Sequence, residues 1–170
     1  MSNTEELTVM MAGSSACRVA LDLLSKECDE LKARYSARYL ENAGEKLKRG
    51  IIPDTALEQL IGEISPKAFV LCGKKGVFSA LYELGGALGC GLKAELFSIP
   101  IDQPAIELCD LKDINPYESD STGSVVFAAG NPGAAAQTAE KLGIKLYLLG
   151  YTTKQKAKIV VSETERYLTE

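Results

Sequence analysis

The chain has 170 residues, 46% apolar and 25% charged, with 19 Lys and Arg against 23 Asp and Glu for a formal charge of −4. That size and balance describe one globular domain, residues 1–170, able to bury a core of its own. They argue against nucleic acid as the main partner, which needs clustered Lys and Arg, and with no apolar run of about 18 residues to span a bilayer no membrane is expected as a partner.

The chain has no histidine, so the commonest general base and transition-metal ligand are missing. Cys17, Cys28, Cys72, Cys90 and Cys109 are odd in number and form no C-x-x-C pair, which reads as reduced thiols rather than a disulfide frame or a zinc site. Glu5 and Glu6 stand where a signal peptide carries its basic region, so the expected location is the cytoplasm.

In chain order, residues 7–11 are an apolar run stopping at Gly13, readable as an edge strand. A long amphipathic helix follows, with Ala16, Val19, Ala20, Leu23, Leu24, Cys28 and Leu31 on one face and Ser14 or Ser15 as cap. The pattern restarts near Ser36 with Tyr39, Leu40, Ala43 and Leu47 as a second, short helix ending by Gly50. Its last turn carries Lys46, Lys48 and Arg49, where cations complement the helix dipole. Pro53-Asp54 opens another helix through Leu57, Leu60 and Ile61, closed by Pro66, and residues 67–72 read as a buried strand.

The turn Gly73-Lys74-Lys75-Gly76 converts that strand into a helix with Val77, Leu81, Leu84 and Leu88 in one stripe. Gly89 and Gly91 end it. Residues 93–101 are strand-like, Pro104 starts a helix through Ile106 and Leu108, and residues 124–129 form a strand. Asn131-Pro132 has the chemistry of an N-cap followed by the first helical position, and that helix stops at Gly143. A strand over 144–149, a turn over 152–156 and a strand pair from 158–162 and Tyr167-Leu168 close the chain. The expected fold class is α/β (α+β), a mixed β-sheet flanked by helices.

The helix signature Gly76, Val77, Ala80, Leu81, Glu83, Leu84 is followed by Gly89 and Gly91, then Ile99-Pro100, Asn115-Pro116 and Gly123-Ser124. This ordered set resembles the C-terminal domain of the aminoimidazole ribonucleotide (AIR) synthetase, or PurM-like, superfamily, in the branch of the hydrogenase-maturation carbamoyl dehydratase and AIR synthase-related proteins. The resemblance implies a mixed sheet with helices on its faces. It also implies an N-terminal domain that supplies much of the ATP and Mg²⁺ site, to which nothing here corresponds. No cofactor is therefore expected for the chain by itself, and ATP and Mg²⁺ only where a partner completes it. Aligning Gly76 with the family's loop puts Leu71 at the family's Asp, Val70 at its His and Lys75 at the first glycine of its pair. The dehydratase ends in a tail with a terminal cysteine, whereas this sequence ends in Arg166-Tyr167-Leu168-Thr169-Glu170, so that route to dehydration is not expected.

The candidate anion site is Gly73, Lys74, Lys75 and Gly76, where two lysines adjoin the free N–H groups of a helix start. The alternative is a solvated turn. Thr122, Gly123 and Ser124 match the family's second small-residue loop, with hydroxyls and amides suited to an oxyanion, the alternative being a turn into the next strand. Glu118 and Asp120 are the nearest acids for Mg²⁺, without a partner acid at metal-ligand spacing, and no metal site is assigned. Glu83 is either a buried acceptor or an exposed helix residue. Cys72, beside a helix start, is the one thiol open to activation. No catalytic residue is assigned. The functional expectation is a stand-alone binding module for a partner or a small phosphate-bearing ligand, with a homo-oligomer expected. The alternative is one subunit of a split ATP-dependent dehydratase or cyclo-ligase, completed by a separate ATP-binding chain.

Overall fold

A computed structural model describes residues 5–26 and 28–170, and the side chain of Cys28, expected on an apolar helix face, lies outside what it describes. The chain begins with β1 (Thr8–Ala12) and three helices, α1 (Cys17–Lys26), α2 (Cys28–Arg34) and α3 (Ala37–Arg49). Residue 27, between α1 and α2, lies outside the described residues, and the break expected near Ser36 stands because its hydroxyl accepts from Tyr39 N at 3.1 Å. Next come α4 (Asp54–Ile64), β2 (Ala68–Leu71), α5 (Gly76–Leu88), β3 (Gly91–Glu95) and α6 (Gln103–Leu111). The chain closes with β4 (Val125–Ala129), α7 (Pro132–Lys141), β5 (Leu146–Thr153), β6 (Lys158–Val161) and β7 (Glu165–Tyr167).

The strands form one mixed seven-stranded sheet in the order β2-β4-β1-β5-β3-β6-β7, antiparallel throughout except for the parallel β3–β6 pair. The helix starts follow the local chemistry. Asn131 Oδ1 accepts from Ala134 N at 3.0 Å ahead of Pro132, and Gly89 ends α5 in the left-handed region.

Two strands sit elsewhere than the sequence suggests. β1 is not an edge but lies between β4 and β5. Its residues are apolar on both faces, Val9 and Met11 in one core and Met10 and Ala12 in the other, which is the pattern of a strand covered on both sides. β2, expected to be buried, is the sheet edge. Half-buried Ala68 and Val70 alternate there with Phe69, 48% exposed, and Leu71, 55% exposed. The strand-like stretch 93–101 is β3 followed by a 3-10 turn at Leu96–Ser98, and β5 runs on to Thr153, past the stop expected at 149.

Three clusters make the core. α5 lays Val77, Leu81 and Leu84 on the face formed by Val9, Met11, Leu92, Val126 and Leu149. On the opposite face Leu57 and Leu60 of α4, with Ala135 and Ala139 of α7, cover Met10, Ala12, Val125 and Phe127. A third cluster joins Ala20, Leu31 and Leu47 of the first helices to Ala105 and Leu108 of α6. On the α4–α7 face the β5-β3-β6-β7 half contributes nothing buried to that second cluster beyond the start of β5. A row of side chains, Tyr151 beside Lys93, Lys93 beside Ile159 and Ile159 beside Tyr167, runs across this half, and Leu148, Tyr151 and Tyr167 are exposed there. Among the described residues no helix is long and apolar enough to cross a membrane.

Candidate functional site

β2 and β4 are antiparallel neighbours, so the end of one and the beginning of the other lie at the same end of the sheet. This brings together the two loops singled out from sequence. Gly73 O accepts from Gly76 N at 3.1 Å and from Ser121 N at 3.0 Å, and Cys72 N donates to Ser124 O at 3.0 Å. The 121–124 loop is also tied to the stretch before α1. Ala16 N donates to Ser121 Oγ at 2.8 Å, Val19 N to Asp120 O at 3.2 Å, and Ser15 Oγ to Pro116 O at 3.1 Å. Ile52 N donates to Gly123 O at 2.8 Å, adding the segment before α4.

These ties decide which atoms remain open to a ligand. Ser121 and Ser124 are buried, and their hydroxyls donate to Ser119 O at 2.9 Å and Ser121 O at 2.7 Å. Thr122 is exposed, but its N–H and hydroxyl both donate to Asp120 Oδ1, at 3.1 and 2.5 Å. The oxygens of the second loop therefore hold the loops together. Lys74 and Lys75 are exposed, and with Ser79 and Glu83 they line a shallow depression of about 190 Å³ at the start of α5. Lys75 is the N-cap of α5 and makes no side-chain capping bond. A second hollow of about 260 Å³ adjoins it, sharing Lys75 with Phe78, Glu118 and Arg166.

The acids are engaged within the chain. Glu118 pairs with Arg166 at 2.6 Å, and Asp120 closes the turn at Thr122. Arg166 lies over the Phe78 ring, which stacks on Tyr117, so the closing strand is fastened to the start of α5. Among the described residues no three His, Cys, Asp or Glu side chains converge to hold a metal ion. Glu83 is exposed, which settles the choice left open in the sequence.

Cys72 is not an activated thiol. Burial pushes it up to about 11 against a weaker opposing hydrogen bond from Ser124, so it stays protonated at neutral pH and serves packing. Burial, reinforced by Asp102 at 3.7 Å, carries Cys17 up to about 12, and burial takes Cys109 to about 11. The native protein should therefore leave these three thiols unmodified by Ellman's reagent at pH 8 while the urea-unfolded chain reacts fully. Above pH 9 the unfolded thiols ionise first and the folded ones keep their protons. Stability should then fall with rising pH, by up to about 1.4 kcal/mol per pH unit for a thiol such as Cys72. Urea midpoints measured from pH 7 to 11 check this, and a midpoint that rises over that range contradicts it.

Sequence reasoning passed over the 14–16 strap. Ala16 is fully buried at φ 61°, a left-handed conformation that costs alanine about 1–2 kcal/mol. The adjoining Gly13-Ser14-Ser15 was the available signal, a turn-forming cluster read only as a helix cap.

A mixed sheet clad by helices, entered by α5 through a glycine turn that meets a second small-residue loop, has the arrangement of the PurM-like C-terminal-domain fold, which the chain shares with HypE. Solved structures that share it include HypE from E. coli, a hydrogenase maturation protein, with a TM-score of 0.72 and 18% identity over 99% of this chain and 50% of that one. Thiamine-monophosphate kinase from Stenotrophomonas maltophilia K279a matches with a TM-score of 0.66 and 15% identity over 91% of this chain and 49% of that one. PurL from T. maritima matches with a TM-score of 0.52 and 14% identity over 98% and 25%. The resemblance read from the ordered motifs thus holds as a likeness of fold. The chain spans about half the length of HypE and of the kinase. No protein-family model matches the chain, and no curated protein matches it.

Proposed function

We propose that residues 1–170 act as one AIR synthase-related C-terminal-type domain in the cytoplasm, a binding module without turnover of its own. A protein partner covers the bare half of its sheet, and a small phosphate-bearing anion meets Lys74 and Lys75, with Gly73, Gly76, Thr122, Gly123 and Ser124 shaping the ground beside them. Self-association is part of this reading. The observation that carries it is the exposed group Leu148, Tyr151 and Tyr167 on a sheet face that α4 and α7 leave uncovered. A binding role also accords with the chemistry at the loops, where Cys72 is a protonated thiol, Glu118 and Asp120 are engaged, and the sequence has no histidine.

A second reading rests on the lengths of the structural neighbours. HypE was solved in complex with ATP, and AaThiL with AMPPCP and TMP, in chains about twice as long as this one. On that reading a separate ATP-binding chain brings ATP and Mg²⁺, and this chain contributes its two loops to a split dehydratase or cyclo-ligase. Native purification from the host with mass spectrometry, repeated with K74A/K75A and L148D/Y151D, separates the two. The module reading expects L148D/Y151D to lose the partner, and K74A/K75A to keep fold and partner while losing phosphate binding. A stoichiometric ATP-binding companion, with Mg-ATP turnover that K74A/K75A abolishes, overturns it in favour of the split enzyme.

A further inference from the structure

The sheet has two edges, and only one is guarded. β7 is three residues long, and its charges are paired, Glu165 with Lys93 at 3.3 Å and Arg166 with Glu118 at 2.6 Å. Short strands and charged side chains are how native edges avoid pairing with other chains. β2 carries no such charge within Ala68–Leu71. The bond from Cys72 N to Ser124 O sets the phase of its ladder with β4. In an antiparallel ladder bonding alternates by residue, so Ala68 and Val70 turn their backbone groups to β4, and Phe69 and Leu71 turn theirs outward. The side chains of Phe69 and Leu71, both largely exposed, line an open apolar groove of about 410 Å³ with Leu57, Ile61 and Gly62 of α4, rimmed by Asp54 and Glu58.

We propose that this edge pairs with β2 of a second copy of the chain, antiparallel about a two-fold axis at Val70. The register is self-complementary. Phe69 of each copy lies opposite Leu71 of the other, and the two residues exchange four N–H···O bonds across the axis through the groups that β4 leaves unused. Each Phe69 then lies across from a Leu71 at the mouth of the other copy's groove, which covers apolar surface now in water.

Charge supports a second copy as the occupant. Lys67 is exposed, and among the described residues it has no ion pair. The Asp54 end of α4 lies beside the Leu71 end of β2, because Ile52 bonds to Gly123 where Cys72 bonds to Ser124. The two-fold register brings Lys67 of one copy opposite Gly73 of the other, at the groove end that carries Asp54 and Glu58. Pro66 and Gly73 bound the strand on either side, so the pairing is limited to this short register. The proposal rests on the self-association in the functional reading but uses a different surface from the bare half-sheet.

Sedimentation velocity of the full chain tests it. Wild type should sediment as a dimer at about 100 μM, a concentration well above a micromolar dissociation constant. L71P, which removes an N–H that β4 does not use, should sediment as a monomer with an unchanged far-UV circular dichroism spectrum. K67E should weaken the dimer at least about tenfold through like charges at the groove end, and adding D54K to it should restore most of that loss. A wild-type monomer at that concentration overturns the proposal. So does a dimer that persists in L71P and K67E, and if L148D/Y151D dissociates that dimer, self-association through the bare half-sheet survives while the β2 pairing does not.

Discussion

Replacing Gly150 with alanine should destabilise the protein by about 4 kcal/mol, the sum of an overpacked core position and two or three lost ladder bonds. A β-carbon built at Gly150 lies 1.8 Å from Lys93 O, 2.8 Å from Lys93 C and 2.9 Å from Ala94 Cα. All three are backbone atoms of the neighbouring strand, so no side-chain rotation relieves the overlap. Gly150 pairs with Val9 on one side and Ala94 on the other, next to the register shift that lets β5 follow both neighbours. To admit a methyl group β3 must move away, which opens the β5–β3 pairing that joins the β2-β4-β1-β5 half to the β3-β6-β7 half of the sheet. The urea midpoint of G150A checks this, and a shift worth less than about 1 kcal/mol contradicts it. The effect reaches the face proposed to meet a partner, because Tyr151 pairs with Lys93 across that same junction.

The parts of this fold that were legible in the sequence are those decided by nearest neighbours. Asn131-Pro132 starts α7, Asp54 starts α4 and the Gly73-to-Gly76 turn leads into α5, because caps, proline and glycine act within a few residues. Strand order is decided by pairing across the chain, and there the reading failed. β1 and β2 exchanged their expected roles, since a short apolar run looks alike at an edge and in the middle. The alternation of Ala68 and Val70 with Phe69 and Leu71 did distinguish them, but both outward residues are apolar, so the pattern imitates a buried strand. At the candidate site the two loops were legible from their small residues, and the fold joins them. The directions of their hydroxyls were not. Nothing local tells that Ser121 Oγ receives the amide of Ala16, more than a hundred residues earlier, or that Thr122 turns to Asp120. The proposed anion site draws on exposure and charge at Lys74 and Lys75, with the two loops shaping the ground beside them.

Gly76→Ala should lower stability by about 3 kcal/mol and loosen the site locally before the fold is lost. Gly76 has φ +81°, a region that costs an L-residue about 1–2 kcal/mol. A β-carbon there also meets Tyr117 O at 2.5 Å, Ser119 N at 2.7 Å and Ser119 O at 2.8 Å, an overlap that adds about 1–2 kcal/mol. The contacted atoms belong to the loop that runs from Asn115 into Ser121, so the strain falls on the seam between the Gly73 turn and the second loop. Ser121 N, bonded to Gly73 O, is the reporter for that seam. Hydrogen exchange followed by NMR should show the Ser121 amide losing protection in G76A by more than the global loss, while Leu149 in the sheet core follows the global value. Equal losses at both amides mean that the loop and the sheet open as one unit and that the seam has no independent stability. The phosphate-binding readout then separates geometry from charge. G76A should weaken phosphate binding with Lys74 and Lys75 both present, because the turn that places them at the start of α5 is displaced. Wild-type binding in G76A restricts the role of the turn to its two charges.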